Sequence, residues 1–430
     1  MYLQTDEQTI DDLRLFAKRE ESGIYEIYNN TSTRGGELLL EKMFRNPLSD
    51  LQAIRQRAGI ISSFAIQNAV FPVNPALLDS VEKYITQEEK AGNHQQPVMG
   101  EKEVANGVTA FIELFHLLHA FLEKGPVRKV AALDQQRQEM MEILQHPSLE
   151  PVAKERPKNR LSFGAVTAFD ILIRVKERGK VIAMLNFIYL IDVYISVAAI
   201  SRKRNFIFPV AHEKGSSILN LSGVYHPELK EPVVNDLRMH EGKSVIFLTG
   251  ANMAGKSTFL RAFSIAVYIA HMGFPVAAGA MEFSILDGFY TTINLPDNLG
   301  IGASHFYAEV LRVKKVATEL STGKSLFVVF DELFRGTNVK DAHEGTVAVT
   351  QAFADRKNSL FLISSHIVEA GEELSRKANI GFHYLPTRMN GVQPEYTYKL
   401  ESGITDDRHG MIIIRNEGIL ETLANGKKKG

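Results

Sequence analysis

The stretch that decides the fold is Val245-Ile-Phe-Leu-Thr-Gly250-Ala-Asn-Met-Ala-Gly255-Lys-Ser-Thr258. Residues 250–257 fit the pattern G-x-x-x-x-G-K-[ST], with an apolar run before it and a helical pattern after it, which predicts a strand, a loop and a helix. Glycines let several backbone N–H groups point at one anion, and a helix N-terminus adds positive dipole. The stretch therefore predicts a phosphate-binding loop that holds Mg-ATP.

Each position of this loop has an expected role. Lys256 is expected to reach the β- and γ-phosphates, and the Ser257 hydroxyl is expected to ligate Mg²⁺. The residues predicted to bind the nucleotide are Gly250, Ala251, Asn252, Met253, Ala254, Gly255, Lys256, Ser257 and Thr258.

A second acidic site follows the apolar run 326–330, where the sequence continues with Asp331 and Glu332. In a phosphate-binding protein such a strand places Asp331 to hold Mg²⁺ through water and Glu332 to orient and deprotonate the attacking water. A third predicted strand, 359–364, ends just before His366. Two interpretations of His366 stay open, a sensor of the γ-phosphate or attacking water and a structural histidine.

The hydrophobic pattern divides the chain of 430 residues into two parts. Residues 1–205 show helical periodicity, whereas from residue 206 short β-rich runs alternate with helical patterns, which predicts an all-α domain followed by an α/β domain, 206–430. The formal net charge of -1 excludes a globally basic nucleic-acid binder, and the absence of cysteine excludes disulfides and thiolate metal sites.

The N-terminus has no basic region followed by an apolar core, so we expect no secretory signal and a cytoplasmic protein. Residues 181–201 are long enough to span a bilayer, but they include Asn186 and Asp192. Because a central Asp costs about 2.5–3.5 kcal/mol on insertion scales, we favour a buried helix, with a membrane span as the alternative.

Four segments resemble the MutS family of DNA mismatch-repair ATPases. Residues 249–258 are similar to T-G-P-N-M-G-G-K-S-T, and 297–309 to D-D-L-x-x-G-x-S-T-F-x-x-E. Residues 331–341 are similar to D-E-[LI]-G-R-G-T-S-T-x-D, and His366 falls where the family has T-H. Upstream, residues 30–48 resemble the start of the family's lever domain.

This resemblance implies a mechanism. MutS ATPase domains pair head to head, so we expect a homodimer in which Ser304 reaches the γ-phosphate bound by the partner. A plain helix N-cap is the alternative role for Ser304. ATP binding would close the dimer, hydrolysis would release it, and the helical lever would carry the change to bound DNA at the nucleoid.

Several positions depart from the family pattern. Ala251 and Ala254 replace Pro and Gly without removing a backbone N–H, so we expect binding to survive. Phe334 and Ala342 stand where glycines are usual, which changes the geometry expected after Glu332. Near Pro232, where the family tends to offer an aromatic ring to the adenine, the sequence has none, which leaves base selectivity open.

The family's mismatch-reading module is the larger departure. The chain begins at the lever-like segment, so we expect the mismatch-reading and connector domains to be absent. Two matches to the family's F-x-E motif, 111–113 and 121–123, lie in a helical pattern and are expected to be ordinary helix residues.

Residues 150–204 contain eleven Lys and Arg, a patch that could hold DNA phosphates or simply form a solvated helix face. Three functions therefore stay open. The first is a MutS-type switch that acts in mismatch repair or senses altered DNA structure. The second is a truncated relative whose ATPase dimer remodels a branched nucleic acid, a ribosome or a protein complex. The third is an ATP-binding scaffold with little hydrolysis, associated with a membrane through residues 181–201.

Overall fold

The structure is a computed structural model that describes residues 1–17, 22–86, 99–157, 160–251, 254–295, 305–390, 393–405 and 418–426. Two compact units divide the chain. The first, which we call the sheet unit, comprises Met1–Ile24, Asn46–Ile54 and Phe206–Gly430. The second, which we call the helical unit, comprises Tyr25–Arg45 and Arg55–Asn205.

The helical unit consists of packed α-helices, with short 3₁₀-helices and one π-helix described between some of them. Its helices, with those that begin in the sheet unit, are α2 (Ile24–Tyr28), α3 (Arg34–Arg45), α4 (Leu51–Gln67), α5 (Pro75–Thr86), α6 (Glu101–Lys124), α7 (Asp134–Leu144), α8 (Glu150–Lys154), α9 (Phe163–Asp170) and α10 (Arg178–Arg204). The 3₁₀-helices are Pro126–Lys129, Ala131–Leu133 and Pro147–Leu149, and the π-helix is Ile171–Lys176.

Helix α10 is largely buried, and its sequence explains both its burial and its end. Asp192 is 1% exposed and accepts hydrogen bonds from Thr33 Oγ1 (2.7 Å) and from the backbone N of Ser32 and Thr33 (3.0 and 2.9 Å). These donors compensate the cost of burying the carboxylate. The helix stops at Asn205, whose φ of 54° is left-handed, a conformation that Asn tolerates better than most residues.

Two helical stretches of the described residues, Glu101–Lys129 and Arg178–Arg204, are long and apolar enough to cross a bilayer. In α10 72% of the apolar window is buried inside the protein, as the buried-helix interpretation of 181–201 expected. Both F-x-E matches lie in α6, as predicted, and their phenylalanines Phe111 and Phe121 are buried, at 1% and 7% exposed.

The sheet unit contains two larger sheets and a hairpin. Its strands are β1 (Val210–His212), β2 (Leu219–Val224), β3 (Asn235–Met239), β4 (Val245–Thr249), β5 (Ala280–Ser284), β6 (Gly288–Thr292), β7 (Leu326–Phe330), β8 (Leu360–Ser364), β9 (Ile380–Tyr384), β10 (Thr387–Asn390), β11 (Gln393–Tyr396) and β12 (Glu401–Ser402). Its helices are α1 (Glu7–Asp12), α11 (Lys256–His271), α12 (His305–Ser321), α13 (Val339–Ala354), α14 (Val368–Leu374) and α15 (Ile419–Gly426).

The six-stranded sheet has the order β12-β9-β4-β8-β7-β6, with every pairing parallel except that of β12 with β9. Strands β4, β6, β7 and β8 are buried at every residue, as expected for a parallel sheet covered on both faces. The three strands predicted at 244–249, 325–330 and 359–364 are β4, β7 and β8. The predicted combination of helices with an α/β sheet region is confirmed.

The structure differs from the prediction in two respects. A four-stranded sheet, β1-β5-β2-β3, is mostly antiparallel and was not predicted. The prediction also gave every residue before 206 to the helical domain, whereas the sheet unit takes in two earlier segments. The physical reason is edge pairing, because Gln4 N donates to Asp287 O and Phe289 N donates to Gln4 O, both at 2.8 Å, alongside β6.

The buried His271 at the end of α11 makes the sheet unit sensitive to acid. Its Nδ1 lies 2.9 Å from Val267 O and its Nε2 accepts from Leu286 N (3.2 Å), which requires the neutral ring. Burial lowers the pKa of His271 to about 4. Since the pKa of His271 is lowered on folding, the stabilisation that depends on its neutral ring is complete above pH 6.5. This stabilisation is lost as the pH falls from 6.5 through 4.

We therefore expect the free energy of unfolding to fall by up to about 3 kcal/mol through this residue as the pH drops from 6.5 to 4. Urea unfolding at several pH values measures it. His271→Gln keeps both hydrogen-bonding roles and should make the free energy of unfolding less dependent on pH. His240→Gln, at an exposed histidine, should leave the pH dependence unchanged. Equal slopes for His271→Gln and the parent chain would show that His271 is not the responsible group.

Candidate functional site

Two glycines of the turn after β4 have backbone conformations that favour glycine. Gly250 and Gly255 have φ values of 146° and 95°, which residues with a side chain rarely adopt. A Cβ on Gly255 would also lie 2.9 Å from Tyr398 Cδ1. Helix α11 begins directly after Gly255. Two predicted nucleotide-binding residues, Asn252 and Met253, lie outside the described residues.

Lys256 is folded back over this turn. Its Nζ donates to Gly250 O (2.8 Å) and Ala251 O (3.2 Å), and it lies 3.8 Å from Glu332 Oε1. The residue is 5% exposed. Burial lowers the pKa of Lys256, although Glu332 and Asp331 oppose the shift. A buried ammonium at a glycine-rich turn suits a polyanion, which would replace the carbonyl oxygens as its partner.

Asp331 is fixed by hydroxyl groups on both sides. Ser257 Oγ donates to Asp331 Oδ2, and Ser364 Oγ donates to Asp331 Oδ1 at 2.5 Å. Ser364 also accepts from Glu332 N at 3.0 Å, so it orients both acidic residues. We did not predict a role for Ser364, although its position at the carboxyl end of the strand beside β4 was a usable signal.

The backbone after Asp331 is bent into an uncommon conformation. Glu332 has a φ of 56° and Phe334 a φ of 63°. A bulky residue in the left-handed region costs about 1–2 kcal/mol, which explains why glycine suits the position of Phe334. Here the Phe334 ring offsets that cost by burial, since it is 6% exposed and packs edge-on against Phe306 at 5.8 Å.

The remaining predicted residues are placed less completely. His366 is exposed and follows β8, so it lies at the same edge of the sheet as the turn after β4. Ser304 lies outside the described residues. On the next helix, α12, Glu309 is 5% exposed and accepts from Gly336 N at 3.4 Å, which ties this helix to the loop that follows Glu332.

A cavity of about 370 Å³ opens beside the first turn of α11. Gly255, Thr258, Phe259 and Tyr398 are among the residues that line it. Asn235 holds the Tyr398 segment, because its Nδ2 donates to Tyr398 O (2.9 Å) and its Oδ1 accepts from Leu400 N (2.7 Å). An aromatic ring is thus present beside the turn, although it comes from far along the chain and not from the neighbourhood of Pro232.

No group of three or more His, Cys, Asp or Glu side chains in the described part of the chain could hold a metal ion. The Ser257 hydroxyl and the Asp331 carboxylate nevertheless supply two hard oxygen ligands in direct contact. Mg²⁺ is usually held by one or two such protein ligands together with substrate phosphates and waters. The donor set therefore fits a magnesium ion that arrives with a nucleotide.

Comparison with known proteins agrees with this geometry. Residues 246–428 match the MutS domain V family, a range that includes every predicted site residue. The chain is similar to the DNA mismatch repair protein MutS of Lactococcus lactis subsp. cremoris (strain MG1363), with 24% identity over 420 residues, which are 90% of this chain and 48% of that protein.

Two further relatives with the same name align over shorter ranges. The Petrotoga mobilis protein is 32% identical over 262 residues, 58% of this chain and 31% of that protein. The Fusobacterium nucleatum protein is 27% identical over 253 residues, 57% of this chain and 28% of that protein. The chain thus spans about half the length of the Lactococcus protein and less of the other two. Residues 246–428 thus match domain V of the MutS family, and the chain is similar to MutS proteins over 57–90% of its length.

Proposed function

We propose that this chain is an ATP-hydrolysing switch of the MutS type, in which Gly250–Thr258 forms a P-loop. The observation that carries the proposal is the contact between the Ser257 hydroxyl and the Asp331 carboxylate, 74 residues apart, beside the buried Lys256. Two motifs read separately from the sequence thus meet at one point, as hydrolysis of a metal-bound triphosphate requires.

The residues divide the work as follows. Backbone N–H groups of the turn and the start of α11 bind phosphate oxygens, and Lys256 neutralises the β- and γ-phosphates. Ser257 and Asp331 hold Mg²⁺, which when bound neutralises charge that develops on the phosphate oxygens. Glu332 orients the attacking water and accepts its proton.

We infer that two copies pair through their sheet units, with Ser304 of each copy facing the nucleotide of the other. His366, at the edge of the sheet near the γ-phosphate, senses the phosphate or the attacking water. The helical unit serves as the lever. These assignments rest on the similarity to the MutS family, and sedimentation with and without ATP tests the dimer.

We propose DNA as the partner and the cytoplasm as the place of action, since the relatives are named as DNA mismatch repair proteins. The basic patch supports this less than its composition suggested. Lys154 pairs with Glu150, Arg174 with Asp170 and Lys180 with Glu177. Such local pairing reduces the number of charges available to phosphates.

A mobility-shift series on perfect, mismatched and branched duplexes at rising salt tests the DNA proposal. A DNA-directed switch should bind with an affinity that falls steeply with salt, and ATP should change that affinity. Absence of binding to all three duplexes, with ATP turnover intact, would favour the alternative in which the ATPase dimer remodels another partner.

Tyr398 gives a specific test of the nucleotide pocket. We propose that the adenine enters the cavity beside the Tyr398 ring. Because stacking of a base on an aromatic ring is worth about 1–3 kcal/mol, Tyr398→Ala should weaken ATP binding about tenfold, whereas Tyr398→Phe should retain it. Titration with a fluorescent ATP analogue measures both. Equal weakening by both variants would show that stacking is not the contribution of this ring.

A further inference from the structure

The short helix α1 and the residue before it contact three elements of the sheet unit, β6, α11 and α12. Its last residue, Asp12, is 1% exposed, and its carboxylate accepts four hydrogen bonds. The donors are Thr291 Oγ1 (2.8 Å), Ile293 N (2.8 Å), Asn294 N (2.9 Å) and Gln8 Nε2 (2.9 Å). Thr291 belongs to β6, and Ile293 and Asn294 directly follow that strand, so Asp12 fixes the chain as it leaves β6.

The end of β6 is also connected to the acidic site. Thr292 O accepts from Asp331 N at 2.9 Å. A displacement at the end of β6 would therefore be felt at the residue that we assign to the metal. Asp12 and Asp331 thus form hydrogen bonds to adjacent residues of the same segment.

The backbone of Asp12 contacts the helix that follows the glycine-rich turn. Arg261 Nε donates to Asp12 O at 3.0 Å. Arg261 lies four residues after Ser257, so the two side chains share one face of α11. Through this contact α1 fixes the end of β6 relative to the helix whose first turn carries Lys256 and Ser257.

Asp6, the residue immediately before α1, connects this helix to α12. Asp6 caps α1 by accepting from Thr9 N, and it accepts from Arg312 Nη1 and Lys315 Nζ of α12, each at 2.5 Å. Although burial opposes the shift, these cations lower the pKa of Asp6 to about 2. Arg312 in turn donates to Thr291 O at 2.6 Å. The two ends of α1 therefore bind β6 and α12, which precede and follow residues 296–304 in sequence.

We propose that Asp12 is a positioning residue for ATP hydrolysis, which aligns the end of β6 and Asp331 with the first turn of α11. The inference rests on the proposed ATPase function and adds to it a requirement for the N-terminal helix. It does not require that Asp12 touch the nucleotide. Its loss should affect turnover of bound ATP more than ATP binding, since binding depends mainly on the turn and Lys256.

The test compares Asp12→Asn with Asp11→Asn, which changes the exposed neighbour in the same helix. Asn offers the Ile293 and Asn294 amides one oxygen instead of two. We expect kcat per nucleotide-binding site to fall at least about tenfold in Asp12→Asn, with KM for ATP within about twofold of the parent value and Asp11→Asn unchanged. Counting sites by nucleotide titration removes unfolded molecules from the comparison.

Hydrogen exchange supplies a readout that does not depend on turnover. The Ile293 and Asn294 amides should exchange at least about tenfold faster in Asp12→Asn, while amides of β7 exchange at the parent rate. If Asp12→Asn does not fold, Thr291→Val removes a single donor to the carboxylate and should lower kcat by about two- to threefold at constant KM.

The outcomes separate the two proposals. A parent chain without ATP turnover would overturn the proposed function and with it a catalytic role of Asp12, whereas the exchange rates would still show whether Asp12 orders the chain after β6. Unchanged exchange at Ile293 and Asn294, or an unchanged kcat in Asp12→Asn, would overturn the positioning role while leaving the ATPase proposal intact.

Discussion

Replacing Glu332 with Gln is expected to lower kcat for ATP hydrolysis about 100- to 1,000-fold while ATP still binds. Glu332 lies 3.8 Å from Lys256 Nζ and 3.9 Å from Arg335 Nη1, and its side chain is 23% exposed, so it is both near the phosphate site and open to water. Gln keeps the shape of the side chain but cannot accept the proton of the attacking water. Binding survives because the turn, Lys256 and Ser257 are untouched.

Steady-state turnover and nucleotide titration on the same preparation check this result. Glu344→Gln is a matched control, because Glu344 is an exposed acid on α13. A Glu332→Gln variant with normal turnover would mean that another group accepts the proton. A variant that neither binds nor hydrolyses ATP would indicate a structural role for the strained segment around Glu332.

The second large effect is expected from Lys256→Met, which should weaken ATP binding about 10- to 100-fold. The ammonium is buried and hydrogen-bonded to Gly250 O and Ala251 O, so it is held where the phosphates are proposed to bind. Met has a similar length and no charge. Removing one partner of a charge pair is most costly when the other is left buried, but the Glu332 side chain is 23% exposed and water can solvate it, so the variant should stay folded.

Calorimetric titration with Mg-ATP measures this loss, and thermal unfolding of the same sample shows that the fold is intact. Lys243→Met, which alters an exposed lysine at the opposite end of β4, is the control and should bind ATP normally. ATP affinity that is equal in Lys256→Met and the parent chain would show that the nucleotide binds elsewhere.

The sequence allowed prediction of those parts of the molecule in which the chemistry is local. Buried strands appear as short apolar runs, and the turn after β4 appears as glycines at fixed spacing, so β4, β7, β8 and α11 were predicted close to their positions. Their mutual arrangement followed from a general property of parallel sheets, whose carboxyl ends meet at one edge. That is why Ser257 and Asp331 could be expected to lie together.

Long-range packing was not accessible in the same way. Nothing in the pattern of residues 1–12 indicates that Gln4 pairs beside β6 or that Asp12 binds its end. The Tyr398 ring reaches the turn after β4 only through the fold of the sheet unit. The left-handed backbone at Phe334 was visible only as a departure from a glycine, because a propensity rule would not place Phe there.

The most direct test of the account is a crystal structure of Glu332→Gln soaked with ATP and Mn²⁺, with the metal located by its anomalous scattering. We expect one metal ion bonded to Ser257 Oγ at about 2.2 Å, joined to Asp331 through a water, with the β- and γ-phosphates against Lys256. A nucleotide bound away from the turn between β4 and α11, or a metal that contacts neither Ser257 nor the water shell of Asp331, would contradict it.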